Sequence, residues 1–319
     1  MTLQAGRRIQ VIDVLRGVAL VAMASYHFTW DLEFFGYVDP GTATAGAMKW
    51  YARSIASSFL ILAGVALVLA HGRGINWAAF GRRFAMVGGA ALLVTVGTYF
   101  AMGRGIIFFG ILHQIALGSL IGLAFLRLPA LLTLIAAIAM IAAPLYLRHP
   151  FFDHEALWWL GLSSIDPPSN DYVPVLPWTG MILIGVALAK ILATAGLFER
   201  LSPWLPGRLG QMLALGGRHS LAFYLLHQPL LIGSVYLFSL ISPPAASDPI
   251  ALYQGACMSN CMASQGEPFC EKFCPCVRIR MQAAGQFEAL IAGKLDPQSD
   301  ETVLASAKQC SVEAQGNGQ

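Results

Sequence analysis

Residues 9–36 read Ile9-Gln-Val-Ile-Asp13-Val-Leu-Arg16-Gly-Val-Ala-Leu-Val-Ala-Met-Ala-Ser-Tyr-His27-Phe-Thr-Trp-Asp31-Leu-Glu-Phe-Phe-Gly36. The run is long and apolar enough to cross a bilayer as a helix, yet it carries Asp13, Arg16, His27 and Asp31. A charged side chain at the membrane centre costs about 2.5–3.5 kcal/mol on insertion scales, so such residues are kept for a partner, a substrate or a proton. At about 100° and about 1.5 Å per residue, Arg16 and His27, eleven positions apart, fall on nearly one face about 16 Å from each other. Leu20, Met23 and Asp31 share that stripe. One face therefore carries a cation near one membrane surface and an imidazole with a carboxylate near the other.

Outward from this run, 56% of the 319 residues are hydrophobic and 12% are charged, where soluble domains carry about 25% charged residues. An ordinary soluble domain is excluded, and the fold class expected is all-α, a polytopic transmembrane bundle. Apolar stretches at 10–31, 54–71, 84–102, 105–126, 129–147, 176–196 and 219–241 predict about seven spans. The least distinct joints are Met102-Gly103-Arg104-Gly105 and Arg127-Leu128-Pro129, where only glycine and proline interrupt apolar sequence. The first run is read as a retained helix: it is too long for a secretory core, it holds Asp13 and Arg16, and no small-residue cleavage site follows it. Basic residues are scattered through short loops, so no nucleic-acid partner is indicated; the partner implied is the lipid bilayer.

Lys and Arg in short loops tend to remain cytoplasmic. Arg7 and Arg8, then Arg73, Arg82 and Arg83, then Arg127, then Lys190, Arg200, Arg208 and Arg218 fall on one side. Asp31, Glu33, Asp39, the loop 148–175 and the chain beyond Pro243 fall on the other. The amino terminus is thus expected inside. The chain divides into a membrane domain, 1–243, and an extramembrane tail, 244–319, on the outer, oxidising side.

All six cysteines lie in that tail, at 257, 261, 270, 274, 276 and 310. Positions 257 and 261, and 270 and 274, are each four apart and share a helix face. Two such turns can be laced by disulfides as an antiparallel hairpin, with Cys276 left to pair with Cys310. The competing reading, a metal or iron–sulfur site, lacks a common cluster spacing; no metal is expected.

His27 lies just inside the outer end of the first helix and, titrating near neutrality, suits the removal of a proton from an amine or hydroxyl. Asp31, one turn on, suits the task of holding the imidazole. His113 sits at a similar depth in the fourth helix, where a hydrogen bond between helices is the alternative. His227 near mid-depth of the seventh helix reads more readily as structural. On the inner side, Arg82 and Arg83, joined by Arg16, form a candidate site for a polyanionic group. Trp30 belongs to an outer aromatic shelf on which a sugar ring can stack, although aromatics also gather at any membrane interface.

Four segments carry a resemblance: Ile12-Asp-Val-Leu-Arg-Gly-Val-Ala-Leu-Val-Ala-Met23 with His27 and Asp31; Phe109-Gly-Ile-Leu-His113; Val175-Leu-Pro-Trp-Thr-Gly180; and Gly217-Arg-His-Ser-Leu221 with Tyr224-Leu-Leu-His-Gln-Pro229. Over about residues 7–241, the chain resembles the bacterial relatives of heparan-alpha-glucosaminide N-acetyltransferase, within the wider transmembrane acyltransferase superfamily. The resemblance implies a membrane acyltransferase that moves an acetyl group from cytoplasmic acetyl-CoA to an acceptor across the membrane, with His27, by position, as the base. It also implies a multi-pass protein of the bacterial inner membrane. The acceptor expected is an amino sugar or glycan; the heparan substrate is not carried over. His27, Asp31 and His113 are then the catalytic candidates, Arg16, Arg82 and Arg83 the acetyl-CoA candidates, and Trp30, Trp178 and His227 the substrate-side candidates. Two features depart from the family pattern: fewer spans than the animal lysosomal enzyme, and the cysteine-rich tail. A homo-oligomer is compatible with this reading. The alternative class is a non-catalytic transporter or scaffold for an envelope metabolite.

Overall fold

Long apolar runs satisfy their backbone as helix in a membrane, even where Pro144 and Pro229 interrupt α5 and α9, and no strand occurs among the described residues, 9–102, 105–244, 248–262, 264–297 and 299–316 of a computed structural model. Arg7 and Arg8, used above for orientation, and Gly103 and Arg104, used to divide two spans, lie outside the described residues. The apolar helices are α1 (Gln10–Phe34), α2 (Gly46–His71), α3 (Trp77–Met102), α4 (Ile111–Phe125), α5 (Ala130–Leu147), α6 (Val175–Thr194) and, after two short helices, α9 (Ser220–Ile241). Each overlaps one of the seven expected apolar runs, with α2 and α3 starting about seven or eight residues earlier than expected. Six are long and apolar enough to cross a membrane, and α4 is the shorter seventh.

The fourth helix differs most from expectation. The sequence pattern opens it at residue 105, but the stretch through Phe108 and Phe109 is not α-helical, and Gly110, extended at φ −92° and ψ −171°, is its cap. Its 15 residues rise about 22 Å, short of the roughly 30 Å hydrocarbon core. Side chains of opposite sign close its two ends. Asp171 Oδ2 accepts from the Ile111 N–H at 2.9 Å. At the other end Lys190 Nζ donates to the carbonyls of Phe125 at 2.5 Å and Leu128 at 2.7 Å, and to Thr133 Oγ1 at 3.1 Å. A carboxylate at the amino end and an ammonium at the carboxyl end match the helix dipole and satisfy backbone groups that the helix leaves orphaned.

The chain forms two compact units. One comprises residues up to Ser25 together with Ala52–Pro229; the other comprises Tyr26–Tyr51 together with Leu230 onward.

In the first unit α6 is central, packed along α5 and α4. Without a hydrophobic drive between helices in lipid, close approach through small residues supplies the packing. A Cβ at Gly64 would stand 2.1 Å from the Ile182 carbonyl oxygen, and one at Gly185 2.1 Å from that of Ile61, so α2 and α6 touch backbone to backbone. The same device joins α1 to α8 (Arg208–Arg218): a Cβ at Gly17 would stand 2.1 Å from the Leu213 carbonyl oxygen, and one at Gly217 1.9 Å from that of Asp13. The sequence pattern did not anticipate α8 or its short predecessor α7 (Leu197–Leu201). Leu209, Met212 and Leu215 on α8 are exposed along one side, as in helices that lie in a membrane interface.

The second unit includes α10 (Pro249–Met262), α11 (Glu267–Ala283), α12 (Phe287–Ile291) and α13 (Glu301–Gln315). Disulfides join Cys257 to Cys274, Cys261 to Cys270 and Cys276 to Cys310, the lacing expected from the spacing. The sulfurs that a metal site needs are thereby consumed. Val277, Met281, Phe287, Val303 and Cys310 make a small core, and the Asp300 carboxylate caps α13 by accepting from the Thr302 and Val303 N–H groups.

Two outcomes follow. Thiol titration of the denatured, non-reduced protein is expected to find no free cysteine. Gly217→Val, which drives a side chain into the Asp13 carbonyl, is expected to destabilise the detergent-solubilised protein by about 2 kcal/mol or more. Gly216→Ala, where an added methyl meets nothing within 4 Å, should leave the thermal midpoint unchanged or raise it; equal loss in both variants would contradict the packing argument.

Candidate functional site: an arginine-lined cleft

The motif Asp13-x-x-Arg16-Gly17 acquires a geometric role at the crossing of α1 and α8. Asp13 is 2% exposed, and its carboxylate pairs with Arg16 Nη1 at 3.6 Å and with Arg218 Nε at 3.7 Å. Asp13 is the buried member of both pairs, while Arg16 and Arg218 keep part of their side chains exposed. Gly17 and Gly217 bring the two backbones together, and the carboxylate balances the two cations that result.

Arg16 and Arg218 line a cleft of about 530 Å³, with Arg83 from α3. His219, Ser220 and Tyr224 complete its polar lining, and Phe59, Met86, Leu112 and Ile115 are among its apolar walls. The volume falls within the roughly 300–1,000 Å³ of small-molecule sites, and the mixture of apolar walls with a few polar groups is also typical of them. Arg16, Arg83 and Arg218 bring three guanidinium groups to the cleft, and the Asp13 carboxylate pairs with two of them, so positive charge predominates in its described lining. Arginine's planar fork is suited to phosphate and carboxylate groups. Such a lining suits an anionic small molecule with an apolar portion.

The expected site residues separate on this geometry. Arg16 and Arg83 line the cleft, whereas Arg82, exposed like its neighbour, does not. His113 stands at the third position of α4, where both ring nitrogens are engaged: Nδ1 accepts from the Gly110 N–H at 3.2 Å, and Nε2 lies 3.2 Å from Thr95 Oγ1. The Thr95 hydroxyl donates to the Ile107 carbonyl at 2.7 Å, so it receives the Nε2 proton. His113 thus ties the start of α4 to α3. Trp178 packs in the cluster of Leu60, Ile111, Val173 and Ile182. His227 is buried, with Nδ1 2.7 Å from the Tyr224 carbonyl and its ring stacked on Phe223.

His27, Trp30 and Asp31 belong to the other unit. His27 is half-buried and meets Tyr26 edge to face at 5.6 Å, Trp30 stacks on Phe34 at 5.3 Å, and Asp31 is fully buried.

Arg218, His219 and Tyr224 were missed as site residues, although their segment was singled out. The signal available was Gly216-Gly217 immediately before an arginine, since paired glycines mark close backbone approach. Asp171 and Lys190, which fix α4, carried no such local signal.

The sequence model of a family described as heparan-alpha-glucosaminide N-acetyltransferase, catalytic, matches residues 8–229. No curated protein and no solved structure matches the chain.

Asp171 provides a test of the α4 cap through pH. Burial pushes its carboxyl up to about 6 from 3.8, opposed by the hydrogen bond from Ile111. A carboxyl raised on folding contributes its full stability below the unfolded value and loses it as pH rises through the folded value. The loss across this window is about 3 kcal/mol, at roughly 1.36 kcal/mol per unit. Asp171→Asn keeps an acceptor for Ile111 without the ionisation. Unfolding measured from pH 4 to 7 should therefore show a shallower decline in the variant than in the wild type; parallel curves would contradict the assignment.

Proposed function

Since the chain belongs to the heparan-alpha-glucosaminide N-acetyltransferase catalytic family, a family of acetyltransferase-type membrane enzymes, we propose that it takes the acetyl group of acetyl-CoA and transfers it to an amino sugar or glycan on the opposite side of the membrane. The observation that carries the donor is the cleft of Arg16, Arg83 and Arg218. Coenzyme A is a polyanion with an extended, largely uncharged arm, and it matches a cleft with excess positive charge and apolar walls. The proposed phosphate contacts are Arg16, Arg83 and Arg218; Arg82 is left to the surface. The basic loops support a cytoplasmic position for that end, in a bacterial inner membrane with the amino terminus inside.

In the proposed reaction His27 is the general base at the far end of α1. The acceptor nitrogen or oxygen attacks the thioester carbon while its proton passes to the imidazole. The carbon–sulfur bond then breaks, and the departing sulfur recovers the proton from the imidazolium. Asp31 steadies the imidazolium during that interval. His113 is assigned a positioning role, because both its ring nitrogens are already engaged. Trp30 and the outer aromatic residues remain the proposed acceptor platform, with His227 and Trp178 as supports. The chemistry proposed here needs no metal.

Purified protein supplied with labelled acetyl-CoA and a glucosamine-type acceptor is expected to form acetylated product. His27→Ala should lower kcat by roughly 10²–10⁴-fold, the usual worth of a general base, with acetyl-CoA binding retained; unchanged turnover would contradict its role. Arg83→Ala is expected to raise the KM for acetyl-CoA by about tenfold, as loss of one charge-assisted contact does, whereas Arg82→Ala should leave it near the wild-type value. Failure of the wild type to bind acetyl-CoA would favour a transporter or scaffold.

A further inference from the structure

The cysteine-rich tail begins beyond the family match, which ends at residue 229, and neither the cleft nor the proposed chemistry uses it. Its contacts suggest a task. Tyr26–Tyr51, which holds the last turns of α1 with His27 and Asp31, packs in one unit with the tail.

The connection between α1 and α2 is tied at both ends of its course. Within the loop, Glu33 closes a clamp: Oε1 accepts from the Gly41 N–H at 2.7 Å and Oε2 from the Ala43 N–H at 2.6 Å. Outside it, Tyr37 Oη donates to the Ser242 carbonyl at 2.5 Å, and its ring meets Phe238 at 5.6 Å. Phe35 meets Tyr236 at 6.2 Å. Gly36 and Gly41, with φ +79° and +88°, occupy backbone that favours glycine. A Cβ at Gly41 would stand 3.4 Å from Ser259 Oγ. Ser259 lies between Cys257 and Cys261, the two residues that staple α10 to α11. The loop thus rests on the stapled turn of the tail and on the end of α9. Glu33, its inner clamp, is two residues beyond Asp31.

We propose that the disulfide-laced tail is a positioning element for the outer end of α1: by packing on the α1–α2 loop at Ser259, beside the tie that the end of α9 makes through Ser242, it fixes the last turn of α1 and the side chains of His27 and Asp31. The proposal rests on the reading of His27 as the base. A reacting group displaced by about 1 Å can lose on the order of 10²-fold in rate, so an anchor outside the membrane bundle is enough to govern turnover. The donor cleft is lined by none of these residues, and donor binding should not depend on them.

The test compares the full-length protein before and after reduction with a membrane-impermeant phosphine, with a thiol count to establish how many disulfides have opened. Opening of all three disulfides is expected to speed hydrogen exchange in residues 35–45 and to lower kcat by roughly tenfold or more, while the KM for acetyl-CoA stays close to its starting value. Glu33→Ala, which opens the loop clamp with the tail intact, should lower kcat in the same way and alter the pH profile of kcat; Glu33→Gln, which keeps one acceptor, should recover part of the rate. Unchanged exchange in 35–45 after full reduction overturns the docking, whether or not the wild type turns over. Faster exchange with unchanged kcat, or parallel loss of kcat and acetyl-CoA binding, overturns the positioning role. A wild type with faster exchange on reduction but no acetyl transfer overturns the assignment of His27 while leaving the docking of loop on tail supported.

Discussion

A carboxylate buried between two arginines is the constraint on which the first unit turns. Asp13 is nearly without solvent, and it balances Arg16 from its own helix and Arg218 from α8. The arrangement exists only because Gly17 and Gly217 let the two backbones meet. Each part explains another: the glycines set the distance, the distance brings the cations to one carboxylate, and the surplus cation of that pairing faces the cleft. A local motif of five residues thereby helps organise a surface to which α1, α2, α3, α4, α8 and α9 all contribute.

The wall opposite is held by a different device. Helix α4 is too short to cross a bilayer by itself, and its ends would leave backbone groups unsatisfied. Asp171 and Lys190 close them, one from the segment leading into α6 and the other from α6 itself. The central helix and the segment leading into it thus set the two ends of α4, and with them the position of Ile111, Leu112 and Ile115 along the cleft. His113 adds a tie from α4 to α3. A histidine within a membrane segment invites a catalytic reading, yet its hydrogen-bond partners here describe a structural one.

What the sequence made legible follows the range of the interactions. Helical runs depend on local composition, so the seven apolar helices could be read directly. The cysteine pairing was legible because spacing of four along a helix and an even count restrict the options. Asp13 with Arg16 is a neighbour pair three residues apart, and it too was visible. Arg218, Tyr224, Asp171 and Lys190 reach their positions through contacts distant in sequence, for which hydropathy carries no signal. The start of α4 was misplaced for the same reason: apolar residues 105–110 look helical until the carboxylate of Asp171 chooses Ile111 as the first turn. Arg82 and Arg83 differ only in the side of α3 from which they project, and at adjacent positions composition cannot distinguish them.

The central claim is that the arginine cleft receives the phosphate-bearing portion of the donor. Equilibrium binding of coenzyme A and of pantetheine to the purified protein, at low and at moderate salt, tests it most directly. The account predicts tight, salt-sensitive binding of coenzyme A that weakens markedly in Arg83→Ala, with pantetheine far weaker and indifferent to salt. Equal affinity for the two ligands, or binding unaffected by both salt and the loss of Arg83, would contradict it.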